Sequence, residues 1–171
     1  MLIVAQPTIV SILVGICLLV VGETIRLWGV SLAGSETRTT GPVGGSTLVT
    51  SGPFAYVRNP LYVGNMLIYF GVGIMANTPI LAIIALIYFF FQYTMIVSLE
   101  EEALVRLFGP EYVSYVEAVP RFVPTFKPYM GQSTNQPQVD WEKGFKSERR
   151  TLQAASLVTV VVLVLWIVRG L

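Results

Sequence analysis

The hydrophobic positions of this chain fall into long runs that polar segments separate. These runs are residues 8–34, 60–76, 79–99 and 151–171. A hydrocarbon core of roughly 30 Å needs about 20 apolar residues in a helix, with a lower limit near 17. The pattern therefore predicts an all-α polytopic membrane protein with about four transmembrane helices.

The polar breaks between these runs predict how the helices are connected. Pro60 suits the first turn of the second helix, and the break at Asn77-Thr78-Pro79 is so short that it forces an antiparallel hairpin. After the third helix, residues recur at positions i, i+3, i+4 and i+7: Tyr112, Tyr115, Val116 and Val119. This spacing predicts a short amphipathic helix at the membrane surface.

The chain divides into three parts on this basis. Residues 1–126 form a membrane core, residues 127–150 have the polar composition of a cytosolic linker, and residues 151–171 form a C-terminal transmembrane helix. Nine of the 11 lysines and arginines lie on the side of residues 35–58 and 100–150. The positive-inside rule makes that side cytosolic, and the location we predict is a bacterial inner membrane.

Composition narrows the chemistry that the chain can perform. Only 12% of the residues are charged, against about 25% in soluble proteins, which excludes a separate soluble catalytic domain. A net charge of +1 gives no electrostatic footprint for nucleic acid. The sequence has no histidine and one cysteine, Cys17, so we expect no metal site and no internal disulfide.

The charged residues that remain cluster near the predicted helix ends. Glu100, Glu101 and Glu102 follow a charge-free span, and consecutive helical residues point about 100° apart, so at least one carboxylate should face inward. In the segment Arg58-Asn59-Pro60, the residue before proline should be extended and the helix start can bind an anion. An ordinary helix cap with a snorkelling arginine explains the same three residues.

One further charged pair lies inside the first hydrophobic run. Glu23 and Arg26 are three residues apart and share a helix face, so they can pair with each other. Such a pair is either an interfacial contact at the helix end or the polar lining of a site, because charges within a membrane are costly and usually face protein or water.

Four features follow one another in this sequence: LVTSGPFAYVRNPLYVGN, the helix hairpin, the EE pair and ALVRLFGPEYVSYVEAVPRFVP. In this order and spacing they resemble the isoprenylcysteine carboxyl methyltransferase and phospholipid methyltransferase family, and the resemblance covers roughly residues 46–124. The resemblance implies that residues 1–126 are the core of an integral membrane methyltransferase. It also implies that S-adenosyl-L-methionine binds in a pocket on the cytosolic face.

The resemblance also implies the residues of that pocket. The cofactor-binding residues would be Ser46, Thr47, Leu48, Val49, Phe54, Asn59, Pro60, Leu61, Tyr62 and Glu100. Catalytic roles would fall to Arg58, which can meet the cofactor carboxylate, and to Glu101, which, like Glu23, can take a proton from an acceptor. Two positions depart from the family pattern. Asn59 replaces a histidine, and Ile96 stands where prenylcysteine-methylating enzymes carry an arginine.

The activity implied is methyl transfer to a lipophilic, membrane-dissolved acceptor that enters laterally from the bilayer. The acceptor can be a lipid amine, thiol or carboxylate, and the oligomeric state stays open. One alternative is an NADPH-dependent membrane reductase of the sterol-reductase type, although such reductases generally have more than four spans. A second alternative is a non-catalytic membrane protein that binds lipid.

Overall fold

A computed structural model describes residues 4–34, 47–131 and 136–170, and this part of the chain is helical without strands. Its α-helices are α1 (Ile9–Ala33), α2 (Pro60–Met75), α3 (Pro79–Phe108), α4 (Pro110–Ala118) and α5 (Trp141–Gly170). A short 3₁₀ helix spans Gly52–Ala55. The helices α1, α3 and α5 are long and apolar enough to cross a membrane. The all-α fold is therefore confirmed for the described residues and includes three candidate membrane spans, whereas α2 has 16 residues and the count of four spans stays a prediction.

Helices α1 and α2 pack so closely that their backbones touch. A Cβ atom on Gly22 of α1 would lie 2.7 Å from the carbonyl oxygen of Gly64 on α2. Two turns away on each helix, a Cβ atom on Gly71 would lie 2.8 Å from the carbonyl oxygen of Gly15. Small residues at such an interface let membrane helices approach closely. Any side chain at these positions would push the two helices apart.

The predicted hairpin between the second and third helices is present. The turn contains Asn77 at a φ of 54°, a left-handed conformation that asparagine tolerates better than most residues. The amide of Gln6 donates to the carbonyl of Ala76, and Arg169 near the end of α5 donates to the carbonyl of Ala5. The hairpin turn, the start of α1 and the end of α5 therefore lie together at one end of the bundle.

Helix α5 begins at Trp141, earlier than the start at residue 151 that the hydrophobic run predicted. The early turns are polar, but they lie against α1, where the Nη2 of Arg26 donates to both carboxylate oxygens of Glu148 at 2.9 Å. Glu148 is fully buried. The residue spacing suggested Glu23 as a partner for Arg26, and the structure shows a partner far away in sequence. Tertiary contacts thus extend the N-terminal end of a helix that the hydrophobic run alone predicted to begin ten residues later.

The amphipathic helix predicted after α3 is α4. Tyr112 and Tyr115 are buried on it, and Val119 is buried immediately after its end. These three residues pack with Leu48 in one apolar cluster. The predicted apolar face of α4 is therefore correct. It packs against Leu48 in the segment before the 3₁₀ helix.

Candidate functional site

The segment 47–58, the start of α2, the end of α3 and helix α4 meet at the end of the bundle opposite the hairpin turn. Two side-chain clusters connect these elements. The first joins Tyr62 of α2 to Glu100 of α3, and the second joins Arg58 to Glu101. The structure therefore brings together residues that lie up to about 40 positions apart in the sequence.

The first cluster consists of aromatic residues around a single carboxylate. The Tyr62 hydroxyl donates to Oε1 of Glu100 at 2.7 Å. The Tyr62 ring lies 4.7 Å, centroid to centroid, from the ring of buried Tyr93 on α3. Glu100 is half-buried in this position. A neutral hydroxyl orients the carboxylate without cancelling its charge, so Glu100 can hold a cationic group.

The second cluster is an ion-pair network around Glu101. Arg58 Nη1 lies 3.0 Å from Oε1 of Glu101, and the two side chains are only 11% and 14% exposed. Arg121 donates through Nε to the same oxygen at 3.2 Å and through Nη2 to Oε2. Arg121 also donates to the hydroxyl of Ser98. The network therefore ties the segment before α2 and the segment after α4 to the end of α3.

The third glutamate behaves differently from the other two. Glu102 is 66% exposed and lies 3.8 Å from Arg106, one turn further along α3. The prediction that the three carboxylates would not share one face is confirmed. Glu100 and Glu101 both turn toward the protein, whereas Glu102 faces outward.

Helix α4 contacts the segment that is predicted to bind the cofactor. Leu48 is buried against Tyr112 and Tyr115, and the hydroxyl of Tyr115 donates to the carbonyl of Phe54 at 2.7 Å. Burial raises the pKa of Tyr112 to about 12 and raises the pKa of Tyr115 as well. Both side chains therefore remain hydroxyls at neutral pH, and Tyr115 keeps its proton for this hydrogen bond.

Asn59 holds the start of α2 against the turn after α4. Its φ of −123° and ψ of 60° differ from the extended conformation that we expected before proline. The side chain makes no capping hydrogen bond to α2 and instead donates through Nδ2 to the carbonyl of Arg121 at 3.2 Å. The amide of Arg58 donates to the carbonyl of Pro120 beside it. An ordinary side-chain cap therefore does not explain this segment.

The other residues implied by the resemblance lie around these clusters. Pro60 is buried at the first position of α2. Leu61 packs so closely against Gly29 of α1 that a Cβ atom on Gly29 would lie 2.9 Å from the Leu61 side chain. Thr47 and Val49 are partly buried. Ser46 lies outside the described residues. The cofactor and catalytic roles of all these residues stay predictions.

Two residues of this region escaped the sequence analysis. Arg121 entered it only within the string VPRFVP, with no role assigned, although it contacts Glu101 directly. No sequence pattern indicates a role for Gln136, because it lies in a polar segment whose composition predicts a linker. Its side chain nevertheless binds the backbone of residues 48–51. Among the described residues, no group of three or more histidine, cysteine, aspartate or glutamate side chains could hold a metal ion.

Comparison with known proteins identifies a matching family and several related sequences. A family model described as phospholipid methyltransferase matches residues 10–111, which is more than half of the chain. The matched range contains α1 except its first residue and the whole of α2 and α3, and with them both Tyr62 and Glu100.

Curated relatives include proteins from bacteria and mammals. The cobalt-zinc-cadmium resistance protein CzcN of Cupriavidus metallidurans is 36% identical over 89 residues, which are 52% of this chain and 41% of the relative. The protein-S-isoprenylcysteine O-methyltransferase of Mus musculus is 32% identical over 116 residues, which are 66% of this chain and 41% of the relative. The chain thus spans about two fifths of the length of these relatives.

A solved structure has a similar fold over part of the chain. The eukaryotic intramembrane Ras methyltransferase ICMT, an isoprenylcysteine carboxyl methyltransferase, aligns with a TM-score of 0.59 and 29% sequence identity. The alignment covers 68% of this chain and 43% of that one. Sequence and fold therefore agree on the same group of relatives.

Proposed function

The chain belongs to the phospholipid methyltransferase family, and from this premise we propose that it transfers a methyl group from S-adenosylmethionine to a lipophilic acceptor in the membrane. The observation that carries the proposal is the half-buried Glu100 carboxylate, fixed by the Tyr62 hydroxyl within the range that the family model matches. The isoprenylcysteine methyltransferases among the relatives support the same reaction class.

The chemistry of the residues fits this cofactor, which has a sulfonium, an ammonium, a carboxylate and an adenine ring. Tyr62 engages Oε1 of Glu100, so the second carboxylate oxygen can accept from the ammonium group. The partly buried Phe54 supplies a ring on which adenine can stack. Backbone groups of residues 47–49 and the first turn of α2, with Asn59 and Leu61, would complete the set. When bound, S-adenosylmethionine supplies the electrophilic methyl group.

The protein's own contribution is alignment and exclusion of water. Glu100 and Tyr62 would orient the cofactor, and the tightly packed segment 47–58 would shield it from solvent. The sequence suggests Glu101 as a base for an acceptor that must lose a proton. In the structure, Arg58 and Arg121 engage both of its carboxylate oxygens. Its contacts better support a role in holding the site together.

The surface beside Glu100 suits an acceptor that arrives from the bilayer. Helix α3 presents large apolar side chains outward along its length: Ile87, Tyr88, Phe91, Met95 and Leu99. Leu99 immediately precedes Glu100 and is 69% exposed. A lipophilic molecule can therefore lie along α3 in the hydrocarbon with its reactive group near Glu100. Whether that group is an amine, a thiol or a carboxylate is the question for the experiment.

Transfer of labelled methyl groups in membranes tests the proposal. Membranes containing the protein, its Glu100→Ala variant or its Glu102→Ala variant are incubated with methyl-labelled S-adenosylmethionine, and the extracted lipids are separated. We expect label in a lipid fraction for the protein and for Glu102→Ala, and at most about one tenth of it for Glu100→Ala.

Two results would contradict the proposal. One is the absence of transferred label in every fraction, and the other is equal labelling by Glu100→Ala. A parallel titration of the purified protein with NADPH addresses the reductase alternative, because a reductase would bind NADPH and leave S-adenosylmethionine unbound.

A further inference from the structure

The last part of the chain contacts the segment that the proposed cofactor site uses. The family model ends at residue 111, so residues 136–170 have no counterpart in the match. Their sequence suggested a linker and a separate membrane helix. The structure shows that this part begins with a residue bound directly to the backbone of residues 48–51.

Gln136 makes three hydrogen bonds through its side-chain amide. Its Oε1 accepts from the amides of Thr50 and Ser51 at 2.8 and 3.1 Å, and its Nε2 donates to the carbonyl of Leu48 at 3.0 Å. One carboxamide thus satisfies two donors and one acceptor of a segment that forms no helix or strand of its own. Thr50 is buried at this point, so the hydrogen bonds are shielded from water.

Gln136 lies four residues before the part of the chain that docks on α1. The amide of Asp140 donates to the carbonyl of Ser31 at 2.7 Å. Gly144 lies so close to Ser31 that a Cβ atom on it would come within 1.9 Å of the Ser31 hydroxyl oxygen. The buried pair of Arg26 and Glu148 follows one turn later. Three successive contacts therefore set the register of α5, and a buried ion pair is well suited to define a register.

We infer that Gln136 is a positioning residue for the cofactor-binding segment, so that the C-terminal part of the chain completes the proposed S-adenosylmethionine site. This inference rests on the proposed function. The backbone groups of Leu48 and its neighbours can meet the cofactor in a single conformation. This requires other residues to hold the segment in place. Tyr112 and Tyr115 hold the segment by apolar contact with Leu48, and Gln136 fixes its hydrogen-bonding direction.

The test is replacement of Gln136 by methionine, which has a similar length and shape but cannot make these hydrogen bonds. Gln138→Met is the matched control, because Gln138 is exposed two residues further along. We expect Gln136→Met to raise the Kd for S-adenosylmethionine about tenfold. We also expect kcat at saturating cofactor and the KM for the acceptor to stay within about threefold of their original values.

A second measurement keeps the test independent of folding losses. Hydrogen exchange should show faster exchange at the amides of Thr50 and Ser51 in Gln136→Met, with the amides within α1 and α2 unchanged. Gln136→Glu keeps an acceptor for these two amides but loses the donor to Leu48, so its Kd should lie between those of the protein and Gln136→Met.

The outcomes separate the inference from the function on which it rests. If the unmodified protein binds no S-adenosylmethionine, the proposed function fails and this inference fails with it. If the protein binds the cofactor and Gln136→Met binds it equally well, the inference alone is wrong. A Gln136→Met variant that loses kcat and acceptor binding in the same proportion as cofactor binding would show a general structural role, and would also overturn it.

Discussion

Glu100 and Glu101 are consecutive residues of α3, yet they lie in two different regions of the site. Glu100 faces the tyrosine side, where Tyr62 donates one neutral hydroxyl to it. Glu101 faces the arginine side, where Arg58 and Arg121 surround it with two positive charges. Because a neutral donor leaves the charge of Glu100 available and two cations compensate that of Glu101, only Glu100 is suited to a cationic ligand. Glu101 is suited to joining segments.

This contrast predicts that the arginine side contributes chiefly to stability. Replacing Glu101 by alanine leaves the largely buried guanidinium of Arg58 close to that of Arg121 without the carboxylate between them. We expect a loss of about 2 to 3 kcal/mol in the free energy of unfolding, since breaking a buried ion pair from one side is strongly destabilising. Denaturant unfolding in detergent micelles measures it.

Combining Glu101→Gln with Arg121→Gln provides the control for that prediction. The double variant should be less destabilised than the sum of the two single variants, because the second change relieves the unpaired charge left by the first. Strictly additive losses would show that the ion pair contributes no coupling energy. The proposal that Glu101 joins the segments of the site would then be wrong.

On the tyrosine side we expect an effect on ligand binding with little effect on stability. Tyr62→Phe removes the hydroxyl that orients Glu100 but keeps the ring that packs on Tyr93. The Kd for S-adenosylmethionine should rise by roughly threefold to tenfold, while the free energy of unfolding changes by less than about 1 kcal/mol. Calorimetric titration and unfolding of the same preparation measure both. An unchanged Kd for S-adenosylmethionine would mean that the Tyr62 hydroxyl does not contribute to the cofactor site.

The smallest effect is expected at the third glutamate. Glu102 and Arg106 are 66% and 82% exposed at a separation of 3.8 Å, and exposed pairs of this kind contribute little. Glu102→Gln should change the unfolding free energy by less than about 0.5 kcal/mol and leave cofactor affinity unaltered. A large effect on either quantity would mean that the distinction between inward and outward carboxylates does not describe the site.

Most of the helices and the presence of at least one inward-facing glutamate could be predicted because their signals are local. Hydrophobic runs mark α1 and α3, the break at Asn77-Thr78-Pro79 marks the hairpin, and three consecutive carboxylates must point in different directions on any helix. The same local reasoning located the buried face of α4, with Tyr112 and Tyr115 on it.

The contacts that assemble the site could not be predicted in this way. Arg121 and Gln136 act through partners about 20 and 88 positions away, and nothing in their sequence neighbourhood identifies those partners. Glu148 extends α5 through its contact with Arg26, so the polar residues that suggested a linker became the first turns of a helix. Polar contacts between distant segments have no periodicity to reveal them.

Calorimetric titration of S-adenosylmethionine into the purified protein tests the role of Glu100, with Glu100→Ala and Glu102→Ala titrated alongside. The contrast between the two regions predicts measurable binding to the protein, the same affinity for Glu102→Ala, and a Kd raised by about 10- to 100-fold for Glu100→Ala. Equal affinity for the protein and its Glu100→Ala variant, with both variants folded, would contradict the assignment of Glu100 to the cofactor.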